Sequence, residues 1–186
     1  MLFRSAQLKL QITELELASF GRDRTGTARE LAPSIDHVWP SMPTYDAGSH
    51  ISIGAGVMTF GFHFPEVGQD GTVQRWSGPS THSGLVALIE RSKPLFAGLS
   101  SVTFIDPSVE ITRVRVDGEE AQFAWTADKS LKFLIPPIEE SRGPMATQLA
   151  FAVNKCLVVQ DVQPQYADNR SVGFCTFGLK LSADAS

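Results

Sequence analysis

The sequence predicts an all-β protein: a two-sheet antiparallel sandwich preceded by a short helix and a long wrapping loop. Three observations predict it. From His50 onward, short runs of β-type residues follow one another closely, separated by turn and breaker pairs such as Asp117-Gly118, Pro136-Pro137 and Gly143-Pro144. None of these runs is followed by a convincing ten-residue helical pattern, which disfavours a parallel βαβ sheet. Apolar residues make up 42% of the 186 positions and charged residues 19%, so the chain can fill a core and is not a disordered tail. A chain of this length forms one domain, or one domain with an extension.

In residues 1 to about 20, Phe3, Leu10 and Leu17 recur every seven positions, as a helical seam requires. Leu8, Leu10 and Ile12 also alternate as in a strand, but the Ala, Gln, Glu, Leu and Lys content and the stop at Gly21 favour helix. Residues 21–49 carry Gly21, Gly26, Pro33, Pro40, Pro43 and Gly48 and read as a linker or wrapping loop, with Trp39 and Tyr45 packed on a neighbouring surface. The division is therefore 1–49 for the helix and wrapping segment and 50–186 for the sandwich. Candidate strands in the sandwich are 51–53, 57–62, 85–89, 101–105, 111–116, 121–125, 131–135, 148–153 and 171–181. The clearest unit is the hairpin in which Ile111, Val114 and Val116 lead into Asp117-Gly118 and out through Ala121 and Phe123. Residues 126–130 form the next turn, after which Leu131, Phe133 and Ile135 alternate with Lys132 and Leu134. Many short strands at this spacing imply a jelly-roll or immunoglobulin-like sandwich.

Composition also sets functions aside. Sixteen Lys and Arg against twenty Asp and Glu leave a net charge of -4 with the positive charges scattered, so no nucleic-acid face is expected. Cys156 and Cys175 make neither a disulfide framework nor a zinc pattern, and a reducing compartment is the simplest reading. Arg4, Lys9, Glu14 and Glu16 interrupt the start, which does not resemble a secretory signal, and nowhere do eighteen apolar residues run together. The expectation is a soluble, cytoplasmic protein without a membrane span.

No G-x-S-x-G elbow is present, and Gly54-x-Gly56 leads into the strand-like Val57 to Phe60 rather than a helix N-terminus, so it is not a phosphate loop. A serine triad would have to be assembled in space around His63 or His82. His37, His50, His63 and His82 lack metal-ligand spacing. No catalytic residue, metal or cofactor is assigned, and the chain reads as a non-enzyme more than as an enzyme. The most unusual cluster is Gly61-Phe62-His63-Phe64-Pro65-Glu66 followed by Arg75-Trp76-Ser77-Gly78-Pro79. Indole stacks on the C–H face of a sugar ring, while Arg donates to sugar hydroxyls and a carboxylate accepts from them. Alternatively, Glu66 and Arg75 bridge the arms of a hairpin and Trp76 fills the core. Asp168 and Arg170, just before the last strand, pair with each other, cap a turn or reach a ligand.

As an ordered set, Ile51-Ser52-Ile53-Gly54-x-Gly56, Gly61-Phe62-His63-x-x-Glu66, Arg75-Trp76-Ser77-Gly78-Pro79, Val114-Arg115-Val116-Asp117-Gly118 and Asp168-x-Arg170-x-Val172-Gly173 resemble a bacterial jelly-roll accessory module. Such modules are attached to glycosyltransferases and related proteins of surface-polysaccharide assembly. The resemblance covers residues 50–182 and departs from the usual pattern at Phe62, where Trp is frequent, and at Ser77, where Thr is. It implies a non-catalytic, carbohydrate-associated sandwich with His63, Glu66, Arg75, Trp76, Asp168 and Arg170 at the ligand site. The implied partners are a saccharide or a glycan-synthesis enzyme. Two alternatives stand beside it: an interaction module whose N-terminal segment pairs with a copy of itself or with a partner domain, and a small glycan esterase.

Overall fold

The computed structural model describes residues 42–54, 57–68, 71–139 and 143–184. The expected N-terminal helix, Trp39 and most of the wrapping segment lie outside these residues. The described chain opens with β1 (Thr44–Tyr45), β2 (His50–Ser52), β3 (Met58–Phe60), β4 (Glu66–Val67) and β5 (Val73–Trp76). It continues through β6 (His82–Glu90), β7 (Leu95–Leu99), β8 (Thr103–Phe104), β9 (Ile111–Val116), β10 (Glu119–Ala121), β11 (Phe123–Trp125) and β12 (Leu131–Ile135). The last elements are β13 (Pro144–Val153), β14 (Leu157–Val158), the single-turn helix α1 (Val159–Val162), β15 (Ser171–Val172), β16 (Phe174–Thr176) and β17 (Gly178–Ser182).

These strands form an all-β sandwich. One layer runs β1-β6-β13-β9-β10 with β3 also on β6, and the facing layer runs β11-β12-β7-β17-β2. Pairing is antiparallel except for β1, which lies parallel to β6 with Tyr45 opposite Ile89. Thr44 and Tyr45, in the stretch read as a wrapping loop, thus belong to the sheet, and Tyr45 packs on the core. A smaller sheet, β4-β5-β16-β8, and the pair β14-β15 complete the described strands.

Register explains why the alternating residues are where they are. In the first layer Leu85 opposes Leu149, which opposes Val116, and Phe151 opposes Val114. In the second, Leu131, Leu99 and Leu179 form one row, and Phe133, Ala97 and Leu181 the next. All of these face inward and are buried. A one-residue slip in any strand would turn its apolar set to water, so burial itself fixes the pairing. Edge-to-face rings then tie the layers to the small sheet: Phe133 meets Phe151 at 5.8 Å, Phe151 meets Phe174 at 6.1 Å, and Phe174 meets Phe62 at 5.9 Å.

The Asp117-Gly118 hairpin forms with φ of 51° and 86°, both positive, as a two-residue turn with the twist of the flanking strands requires. Its outgoing arm does not continue to Phe123 in one sheet. The chain leaves the first layer after Ala121 and enters the second at Phe123, crossing the sandwich edge at Gln122. Asp117 has a second task. Its carboxylate accepts from the backbone N–H of Gln148 at 2.8 Å and pairs with Arg91, which is almost fully buried. Arg91 also donates from Nε and Nη2 to the Pro136 carbonyl at 3.0 and 2.8 Å.

Candidate functional site

The residues that the sequence singled out converge on the small sheet and the loop before β15. Just after β5, Ser77 is locked to β16: its N–H donates to the Phe174 carbonyl at 2.7 Å and its Oγ accepts from the Phe174 N–H at 2.9 Å. Gly78 comes next, at φ 138°, against the Ser171 carbonyl. A Cβ there would stand 2.1 Å from that oxygen and 2.9 Å from His63 Nε2, so only glycine lets the two loops meet. The His63 backbone N–H is held by the Trp76 carbonyl at 2.9 Å. Its ring Nε2 lies 2.9 Å from the Ser171 carbonyl. A carbonyl only accepts, so Nε2 carries the proton and donates. His63 therefore pins the β4 side of the site to the β15 side.

Arg170 closes the same junction. Its Nε donates to Asp168 Oδ1 and Oδ2 at 3.1 and 3.0 Å, its Nη2 donates to Asp168 Oδ2 at 2.6 Å, and its Nη1 donates to Glu66 Oε1. The Arg170 backbone N–H adds a bond to Asp168 Oδ1 at 2.9 Å. The segment is steadied from behind by α1, where the Val159 and Gln160 N–H groups donate to the carbonyls of Arg170 and Asp168. The Asp168 carboxyl is held down to about 2, first by the Arg170 side chain, next by its backbone N–H, and in smaller part by the charges of Arg170 and His63. The Arg170 guanidinium is raised above its ordinary value, first by Asp168 and then by Glu66. Beneath them, burial pushes the Cys175 thiol up to about 12, with the Glu66 charge adding to the effect.

Sequence reasoning placed Glu66 beside Arg75, and the structure corrects that partner. Glu66 opposes Gln74, and Trp76 opposes Cys175, so Glu66, Gln74, Trp76 and Cys175 share one face of the small sheet. Arg75 alternates to the other face, where it donates to Thr59 Oγ1 at 2.7 Å and to the Gly54 carbonyl at 3.4 Å. Burial pulls its guanidinium below the ordinary value. Trp76 is partly buried and packs against the core. His63, Glu66, Asp168 and Arg170 are thus gathered into one cluster, Arg75 is separated from it, and Trp76 lies on its face of the sheet as a packed ring.

The sequence reading missed the exposed rings. Phe64, between His63 and Glu66, is 91% exposed, and Tyr166, two residues before Asp168, is 55% exposed. The available signal was an aromatic set among polar and breaker residues, Phe64 between His63 and Pro65 and Tyr166 between Gln165 and Ala167. The two aromatics lie on the two segments that Glu66–Arg170 and His63–Ser171 join. Among the described residues the hydroxyl–imidazole contact is Thr81 Oγ1 to His82 Nδ1, 3.2 Å, at the exposed start of β6, and no carboxylate completes a triad there. Among the described residues no group of His, Cys, Asp and Glu is arranged to hold a metal ion, and no helix is long and apolar enough to cross a membrane. No protein-family model and no curated protein matches the chain.

Proposed function

We propose that this chain is a non-catalytic carbohydrate-binding sandwich module that accompanies bacterial glycan synthesis, with the His63, Glu66, Asp168 and Arg170 cluster as its saccharide site. The observation that carries the reading is a half-open set of planar polar groups, held between two segments that also carry the exposed aromatic side chains Phe64 and Tyr166. A sugar ring needs both parts: an apolar face for its C–H surface and fixed donors and acceptors for its hydroxyls. Arg170 uses three of its five N–H groups on carboxylates and keeps one on each terminal nitrogen for a ligand. The resemblance of the ordered motifs to accessory modules of polysaccharide assembly supports the same assignment, beside a glycan-synthesis enzyme. Contact with that enzyme, or with a second copy, is assigned to the N-terminal segment.

Binding to such a shallow face is expected in the micromolar to millimolar range, on the order of 10⁻⁶ to 10⁻³ M, because little ligand surface is desolvated. Screening the full chain on an array of neutral, amino and acidic glycans, followed by nuclear magnetic resonance titration, tests the proposal. Amide shifts confined to residues 63–66 and 166–171 are expected. No shift with any glycan at about 10 mM, well above that affinity range, would overturn it. Phe64 and the neighbouring Val67, 70% exposed, favour a second reading in which the same patch meets a protein. That reading is selected if Phe64→Ser abolishes co-purification with a glycan-synthesis enzyme while no glycan binds.

A further inference from the structure

The cluster's charge balance narrows the ligand. Resting on the saccharide reading above, we infer that the site takes neutral or amine-bearing sugars and rejects acidic ones. Two carboxylates, Glu66 and Asp168, converge on the single guanidinium of Arg170. Arg170 is therefore already neutralised, and one negative charge is left over. A uronate carboxylate approaching the free N–H groups of Arg170 would meet that surplus at close range, with both existing carboxylates competing for the same donors.

The free hydrogen-bonding capacity points the same way. Glu66 Oε1 is taken by Arg170, which leaves Oε2 to accept. His63 donates from Nε2 to the Ser171 carbonyl, and in the neutral tautomer with that proton Nδ1 is the acceptor. Asp168 has both oxygens doubly engaged by Arg170, so it adds charge to the cluster but little free accepting capacity. The unfilled positions are thus the acceptors of Glu66 and His63 beside two N–H donors of Arg170, and such a mixture suits hydroxyls, which both donate and accept, or an ammonium on the acceptor side. A carboxylate brings only acceptors. Phe64 and Tyr166 are indifferent to charge on a substituent and favour any ring with an apolar face. The cluster, and not the exposed aromatics, sets the preference.

Chitotetraose, N-acetylchitotetraose, cellotetraose and tetragalacturonate are titrated into the full chain at low salt and pH 8. Chitotetraose is expected to bind at least as tightly as the two neutral tetramers, and tetragalacturonate about fivefold or more weakly, the factor that a like charge at about 4 Å exerts even under bulk-water screening. Glu66→Gln removes the surplus charge and should shrink the difference toward unity. Glu119→Gln, which removes one exposed charge on the distant β10, should leave it unchanged. Melting curves of both variants establish that they are folded. Tighter binding of tetragalacturonate than of the neutral tetramers would overturn the inference and leave the saccharide reading standing. So would a preference that survives Glu66→Gln. Binding of none of the four, nor of any glycan on the array, would overturn both.

Discussion

Arg91 and Arg170 each join strands far apart in the chain, yet their surroundings differ. The Arg91 side chain is 4% exposed, and its donors go to Asp117 and to a backbone carbonyl. The Arg170 side chain is 39% exposed and faces two carboxylates. A buried guanidinium is tolerated only when every donor has a partner, so Arg91 is committed to the fold. An exposed one contributes little to stability because water competes for it. Two loops nevertheless spend a histidine, a glycine and two carboxylates on holding Arg170 in place. The difference teaches that the first cluster closes the sandwich edge where the chain crosses between layers, and the second keeps a surface set of polar groups in fixed geometry.

The sharpest way to break this comparison is Arg91→Leu. It strands the Pro136 carbonyl and the Asp117 carboxylate, and should lower unfolding free energy by about 3 kcal/mol in urea, the low end for breaking a buried pair because Asp117 is partly solvated. A loss well under half of this would place Arg91 in the same class as Arg170. Gly78→Ala should come next, at about 2 kcal/mol, because its Cβ cannot share space with the Ser171 carbonyl unless the loops part. The histidine resonances of His63 should move with it. Gly118→Val is expected to destabilise by about 1 to 2 kcal/mol through its positive φ alone, since nothing crowds a Cβ there. An unchanged urea midpoint would contradict the turn assignment.

The pH dependence separates the clusters further. The Asp168 carboxyl lies below its unfolded value of 3.8, so its contribution to stability is complete above about pH 4 and is lost as pH falls toward about 2. Carboxyl-carbon resonance titration should give Asp168 a midpoint near 2 in the native chain and a clearly higher one in Arg170→Met, where only the backbone N–H of residue 170 still holds it down. A midpoint that stays near 2 in the variant would mean that Arg170 is not its cause.

How far the sequence went depends on whether the information was local. The alternation of Leu131, Phe133 and Ile135 and the Asp117-Gly118 turn are local patterns, and both formed as read. Strand β7 was missed because Pro94 and Gly98 look like turn chemistry. Its Leu95, Ala97 and Leu99 face the core, while a Cβ at Gly98 would have ordinary room, so the glycine neither breaks nor kinks the strand. In the site, Asp168 and Arg170 lie two residues apart and their pairing was among the readings considered. The partner of Glu66 was assigned by nearness in sequence to Arg75, whereas strand alternation turned Arg75 to the opposite face and brought in Arg170 from 104 positions away. Arg91 gave no signal at all, because burial of a single arginine is decided by strands that meet only in the folded chain.

The central claim is that the Arg170 cluster binds and does not hold the fold together. It is tested most directly by titrating chitotetraose into the native chain and into Arg170→Met, with the urea midpoint of each recorded on the same samples. The account predicts amide shifts at residues 63–66 and 166–171 that vanish in Arg170→Met while the urea midpoint moves far less than in Arg91→Leu. A variant that binds as the native chain does, or that loses as much stability as Arg91→Leu, would contradict it.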